Sequence, residues 1–145
     1  MFFDNCTDDS KASLWHPYRN TVSTPVFDNT GAFIERTSTG NGYLFVGQSN
    51  ETNKPFSLDF AIEFDVVEIT GDVRYYPDSG NWDTVRNISA NDHIKIEFYT
   101  DKQIVTRNYG TPVETAHTNS GSFKAQFQFV GVGSIKLKNV KVYSI

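Results

Sequence analysis

The chain holds a single cysteine, Cys6, so no disulfide can close within it. It has no CxxC pair and no Cys/His cluster, which removes the usual zinc sites. No apolar run approaches the ~20 residues that cross a membrane as a helix. The opening Met1-Phe2-Phe3-Asp4-Asn5 lacks the basic flank and apolar stretch of a secretory signal. The expectation is a soluble protein made in the cytoplasm, with no membrane insertion. Phosphate-cradling glycine loops, linkers, repeats and low-complexity tracts are also missing. A net charge of −4 and a pI near 5.3 argue against nucleic acid or an acidic membrane as partner. Asn-x-Ser/Thr triplets at Asn5, Asn50 and Asn87 mean little without a secretory route.

What the chain does have is aromatic residues: 12 Phe and 7 Tyr, which with Ile, Val and Thr favour strands. The clearest run is Phe56 to Val66. Phe56, Leu58, Phe60, Ile62, Phe64 and Val66 alternate with Ser57, Asp59, Ala61, Glu63 and Asp65. Alternate side chains of a strand face opposite sides, so this run has one apolar and one mostly polar face. At ~3.3 Å per residue it would make a strand of about 36 Å, which needs an apolar sheet laid against it.

About ten such segments recur at short spacing, punctuated by turn residues. Turns are predicted at Asp28–Gly31, Ile69–Asp72, Thr100–Lys102 and Gly131–Gly133, and a bulge at Lys138-Asn139. One helical turn is predicted between Asp8 and Trp15, capped by Asp8 or Asp9. The pattern predicts an all-β fold, an antiparallel two-sheet β-sandwich of jelly-roll type, in one domain spanning residues 1–145. Acids crowd residues 1–70, ten against four bases, while 71–145 carry seven acids and nine bases. Lys124, Lys136, Lys138 and Lys141 read either as a basic patch or as the wet face of sheet strands.

The order of parts resembles a concanavalin A-like (laminin-G-like) jelly roll. The features that carry the resemblance are the long alternating strand, a Trp-containing segment, the hairpin strand Asp92–Tyr99 and the closing strand Ser134–Tyr143. The segment Asn5–Trp15 is similar to the acidic turn and Trp that open many such domains. The resemblance implies glycan binding. It also implies a setting such as a phage or viral tail fibre, receptor-binding module or capsid decoration, with a host glycan or neighbouring virion protein as partner. Localisation would be the virion or a cell surface, and a homo-oligomer would be in keeping. Locally, Glu63-Phe64-Asp65-Val66-Val67-Glu68 resembles the E-x-D-x-x-E motif of family 16 glycoside hydrolases. That likeness would make Glu63 the nucleophile, Asp65 its helper and Glu68 the acid/base, with a bulge at Val66-Val67 bringing Glu68 onto their face. Acids at alternate outward positions equally suit a solvated sheet face, and the reading preferred here is a non-catalytic binding module.

Glycan binding would use exposed rings, which stack on the apolar face of a sugar. The first candidates are Trp82 with Tyr76, then Tyr75 and Tyr109, with Tyr99 and Tyr18 also weighed as exposed rings. Tyr75 and Tyr76 are adjacent, so in a strand one of them faces outward. Trp15 is expected to plug the core. Asp4, Asp8 and Asp9 are candidate ligands for a structural Ca²⁺, although no EF-hand-like spacing supports them. His16, His93 and His117 are scattered and read as structural.

Overall fold

A computed structural model of the chain describes residues 1–19, 21–77, 83–118 and 121–145. The strands are β1 (Phe2–Asp4), β2 (Trp15–Tyr18), β3 (Val26–Asp28), β4 (Gly31–Arg36), β5 (Asn41–Val46), β6 (Phe56–Ser57) and β7 (Phe60–Tyr75). They continue as β8 (His93–Phe98), β9 (Lys102–Arg107), β10 (Val113–Ala116), β11 (Ser122–Phe123) and β12 (Ala125–Ser144). All pairings are antiparallel. Among the described residues the one helical piece is a 3₁₀ turn at Ala12–Leu14.

The spine is a ribbon of β7 against β12, running from Phe60 opposite Ser144 to Tyr75 opposite Phe127. Its first half sits in one sheet, ordered β10-β9-β8-β7-β12-β4-β3, with β1 alongside Val140–Val142. Its second half sits in the other, where β12 pairs β5, β5 pairs β2, and Tyr75 bridges Val85. A straight strand would hold Phe64 and Tyr75 about 36 Å apart. Their ring centroids are 6.3 Å apart, so the ribbon folds back on itself. The fold falls where β12 places extra residues between Phe129 and Gly133 against β7. Gly71 has φ +69, and a Cβ there would lie inside the contact shell of the Val132 carbonyl oxygen. Only glycine lets the two strands come this close.

The two sheets close on aromatic residues. Phe64 meets Phe127 edge-on at 5.0 Å, and Tyr75 lies 6.1 Å from Phe98. Within the first sheet, Phe60 stacks on its β8 neighbour Phe98 at 4.7 Å, and all of these rings are buried. Burying one such ring contributes on the order of 2–3 kcal/mol, so these rings are a main source of cohesion between the sheets.

The alternation read from the sequence therefore holds for Phe60, Ile62, Phe64 and Val66, and the hairpin around Thr100–Lys102 is where it was expected. Two turn assignments need correction. Ile69–Asp72 and Gly131–Gly133 are not turns but the corner of the ribbon, where long-range pairing carries both strands through. The Phe56–Val66 run is interrupted at Leu58-Asp59, so that Phe56 and Ser57 pair with Phe123 and Ser122 instead. The bulge at Lys138-Asn139 is present, and Asn139 takes a positive φ there. The bulge at Val66-Val67 is present too: Leu137 faces Val66 and Lys136 faces Glu68.

Candidate functional site

The outer face of the shorter sheet carries a row of rings. Along β2, Trp15 and Pro17 pair with Val46 and Leu44, while His16 and Tyr18 pair with Phe45 and Tyr43. The first set points inward, with Trp15, Val46 and Leu44 buried in the core. The second set therefore points out. Tyr76 follows the inward Tyr75 and joins this outer set through a backbone bond to Gln126. The rings are continuous. His16 stacks flat on Phe45 at 6.1 Å, Phe45 meets Tyr18 at 5.8 Å, Tyr18 meets Tyr43 at 6.5 Å, and Tyr43 meets Tyr76 at 6.0 Å. Phe45 is the buried floor, whereas His16, Tyr18, Tyr43 and Tyr76 are half-buried.

Polar groups border these rings. Register places Gln126 opposite Phe45, and Gln128 opposite both Tyr43 and Arg74. The Arg19 guanidinium lies 5.3 Å over the Tyr18 ring and the Lys124 ammonium 5.0 Å over Phe45. His16 Nε2 is 3.1 Å from Glu51 Oε2. At this end the row opens into a shallow cleft of about 530 Å³ lined by His16, Pro17, Tyr18, Arg19, Val22 and Glu51. Half-buried rings flanked by amides and charges offer both the flat apolar contact and the hydrogen bonds that a sugar takes.

The opposite face of the molecule holds the acids singled out in the sequence. Glu63 accepts a hydrogen bond from the Tyr143 hydroxyl, and its other oxygen lies 3.4 Å from His93 Nε2. Asp65 accepts from Asn139 Nδ2 at 2.8 Å and sits 2.6 Å from His93 Nδ1. Burial by itself would raise the Asp65 pKa, but the bonds from Asn139 and His93 together outweigh it and hold the carboxyl below its ordinary range. Burial, then the bond to Glu63, pushes the Tyr143 hydroxyl well up. Glu68 is exposed and shares the Asp65 face through the Val66-Val67 bulge. The motif's three side chains thus share a face as expected. Glu63 and Asp65, however, are bound into a sheet-surface network, and neither the 530 Å³ cleft nor the one described next takes a wall from any of the three acids.

That second cleft, about 270 Å³, lies under residues 83–86 and is floored by Gln103, Val105 and Arg107. Its polar groups fasten the segment above it. Gln103 Nε2 donates to the Asp83 carbonyl at 3.0 Å, and Arg107 Nη1 donates to the Asn87 carbonyl at 3.2 Å.

Of the rings picked from the sequence, Tyr76 and Tyr18 lie in the outer row, and Tyr99 donates its hydroxyl to Glu97 Oε2 at 3.1 Å. Tyr75 is corrected: it is fully buried among Phe64, Phe98 and Phe127, because it is the inward member of the pair. Tyr109 is 80% exposed but belongs to the acidic face, stacked on His93 at 4.4 Å. Trp82 lies outside the described residues. Trp15 plugs the core as expected, its indole N–H donating to Asp4 Oδ2 at 2.8 Å. That bond also decides against Asp4 as a cation ligand, since its other oxygen accepts from the Cys6 amide. Asp8 closes a local turn on the Ser10 amide, 2.9 Å away, and no side chain caps the 3₁₀ turn. Asp4, Asp8 and Asp9 thus do not converge as a Ca²⁺ donor set. Tyr43 and Phe45 were missed because Tyr43–Val46 reads as a uniformly apolar, buried strand. The alternation Tyr43 out, Leu44 in, Phe45 out, Val46 in was the available signal.

No family model and no curated protein sequence matches this chain. Solved structures do. A sialidase aligns at TM-score 0.63 and 9% identity, over 90% of this chain and 17% of the sialidase, so the chain spans a small part of that enzyme. The Ca²⁺-bound VIP36 exoplasmic/lumenal domain aligns at 0.56 and 6% identity, over 98% of this chain and 88% of that domain. The SPRY domain of human HERC1 aligns at 0.52 and 9% identity, over 82% and 94%. At such identities the likeness is one of fold, and the fold is the antiparallel jelly-roll sandwich of the concanavalin-like kind.

Proposed function

We propose that this chain is a non-catalytic glycan-binding module whose binding surface is the ring row His16–Phe45–Tyr18–Tyr43–Tyr76. The observation that carries the proposal is the row itself: four half-buried rings around the buried Phe45, in continuous contact on one sheet face and bordered by Gln126, Gln128 and charged side chains. Supporting it, the VIP36 domain of similar fold has been solved with Ca²⁺ and Man2 bound. The setting consistent with this role is a virion or cell-surface assembly, as a tail-fibre, receptor-binding or decoration module holding a host glycan or a neighbouring virion protein. Mass spectrometry of purified particles that lacked the chain would remove the virion setting.

The test is a glycan array read with wild type, Tyr43→Ala and Tyr76→Ala. A stacked ring contributes about 0.5–1.5 kcal/mol, so each variant should weaken binding roughly three- to tenfold. An array on which wild type binds nothing would leave a purely structural decoration protein. Binding unchanged in both variants would move the site elsewhere. A family 16-like β-glucan hydrolase is the rival activity. Reducing sugar released by wild type and abolished by Glu63→Gln would establish it.

A further inference from the structure

Among the described residues, two cations stand on the ring row without a carboxylate to neutralise them. Arg19 lies over Tyr18 and Lys124 over Phe45, and neither stands in an ion pair among the described residues. Among the described residues, the acids bordering the row already have partners: Glu51 faces His16 at 3.1 Å, and Asp72 is held by Arg74 at 2.6 Å. Counted over the described side chains of this face, the balance is therefore positive, although the whole chain carries −4. A ring covered by a cation cannot also carry a sugar on that side. Of the three half-buried tyrosines, Tyr18 carries Arg19, whereas Tyr43 and Tyr76 have no cation over them among the described residues, and they adjoin Tyr18 and, through it, Phe45.

From this arrangement we infer that the surface selects acidic glycans, meaning chains in which a sugar bears a carboxylate. The inference rests on the ring row being the glycan site. A neutral pyranose ring stacks on Tyr43 and Tyr76, and the carboxylate of the same or the next sugar meets Arg19 and Lys124. Guanidinium suits this task because its planar donors match the two oxygens of a carboxylate. An amphipathic stem lying on a ring also keeps each cation near the surface with little conformational freedom left to lose.

The experiment is an array of uronate- and sialate-bearing glycans, each printed beside its methyl ester, with dextran sulfate as a polyanion control. Acid forms should bind roughly three- to tenfold tighter than their esters, the range for one or two partly shielded charge contacts. Arg19→Gln combined with Lys124→Gln should reduce the acid forms to the level of the esters, and Tyr43→Ala should weaken both. Equal binding of acid and ester, lost in Tyr43→Ala, would overturn the acid selectivity and leave the ring-row site standing. Dextran sulfate binding as well as the acids and surviving Tyr43→Ala would show plain charge attraction and also overturn it. No binding to any glycan would remove the site and the selectivity together.

Discussion

The corner of the β7–β12 ribbon makes a quantitative demand that three alanine substitutions can test. Gly131 has φ +96, and a Cβ there meets nothing within 4 Å, so Gly131→Ala bears only the cost of left-handed backbone. That cost is about 1–2 kcal/mol. Gly133 is the converse case. Its φ is not in the left-handed range, but a Cβ would lie 2.7 Å from the Thr70 carbonyl oxygen, which is backbone and cannot swing away. Parting the strands there loses about one ladder hydrogen bond and some packing, again about 1–2 kcal/mol. Gly71 combines both conditions, with φ +69 and a Cβ against the Val132 carbonyl, so Gly71→Ala should cost about 2–4 kcal/mol. At ~2.1 cal/mol/K per residue, unfolding 145 residues carries about 0.3 kcal/mol/K. Gly131→Ala and Gly133→Ala should each lower Tm by roughly 5 K, and Gly71→Ala by roughly 10 K. Scanning calorimetry paired with urea titration measures this, with an unchanged m-value showing that the native fold survives. If Gly71→Ala is no worse than Gly131→Ala, the close approach of the two strands is refuted. If all three variants melt like wild type, the corner itself is.

Two further outcomes concern ionisable groups. Burial, with the neighbouring Asp4 charge adding to it, pushes the Cys6 thiol up to about 12, so the thiol is inert and its neutral form is the one the fold favours. Native protein at pH 8 should resist iodoacetamide and react only in denaturant; rapid native labelling would contradict the burial. The sign is that of a raised group, with stability intact below the ordinary 9.0 and lost as pH climbs toward about 12. Asp65 behaves oppositely. Its lowered pKa stabilises the fold above the ordinary 3.8 and is lost as pH falls through the native value. Asp65→Asn should flatten the acid limb of urea midpoint against pH, and an unaltered acid limb would show that the His93–Asp65–Asn139 network contributes nothing.

Much of this architecture was legible in the two-residue rhythm, because Phe60, Phe64, Phe127 and Phe129 must share an interior whatever the topology. Tyr75 and Tyr76 show the same rule at the site, since adjacency alone required one of them to face out. The corner was not legible. Gly71-Asp72 and Gly131-Val132-Gly133 have turn composition, and only pairing between segments some sixty residues apart keeps them extended. Phe45 was hidden for a related reason. It is buried not by the core but from outside, beneath His16, Tyr18 and Lys124, which come from distant parts of the chain. Sequence periodicity assigns a face correctly, but it cannot tell which apolar residues are covered by partners on the solvent side.

The ribbon also sets how the molecule must form. Its open end matches Phe60 with Ser144, and even its nearer end joins Tyr75 to Phe127. No early, cheap hairpin can therefore seed the spine. The entropy of closing long loops comes due before either sheet has a partner to reward it, which places folding in the millisecond-to-second regime of non-local β topologies. Until that closure the aromatic edge of β7 stays uncovered, so crowding during refolding is where this chain is most exposed to aggregation.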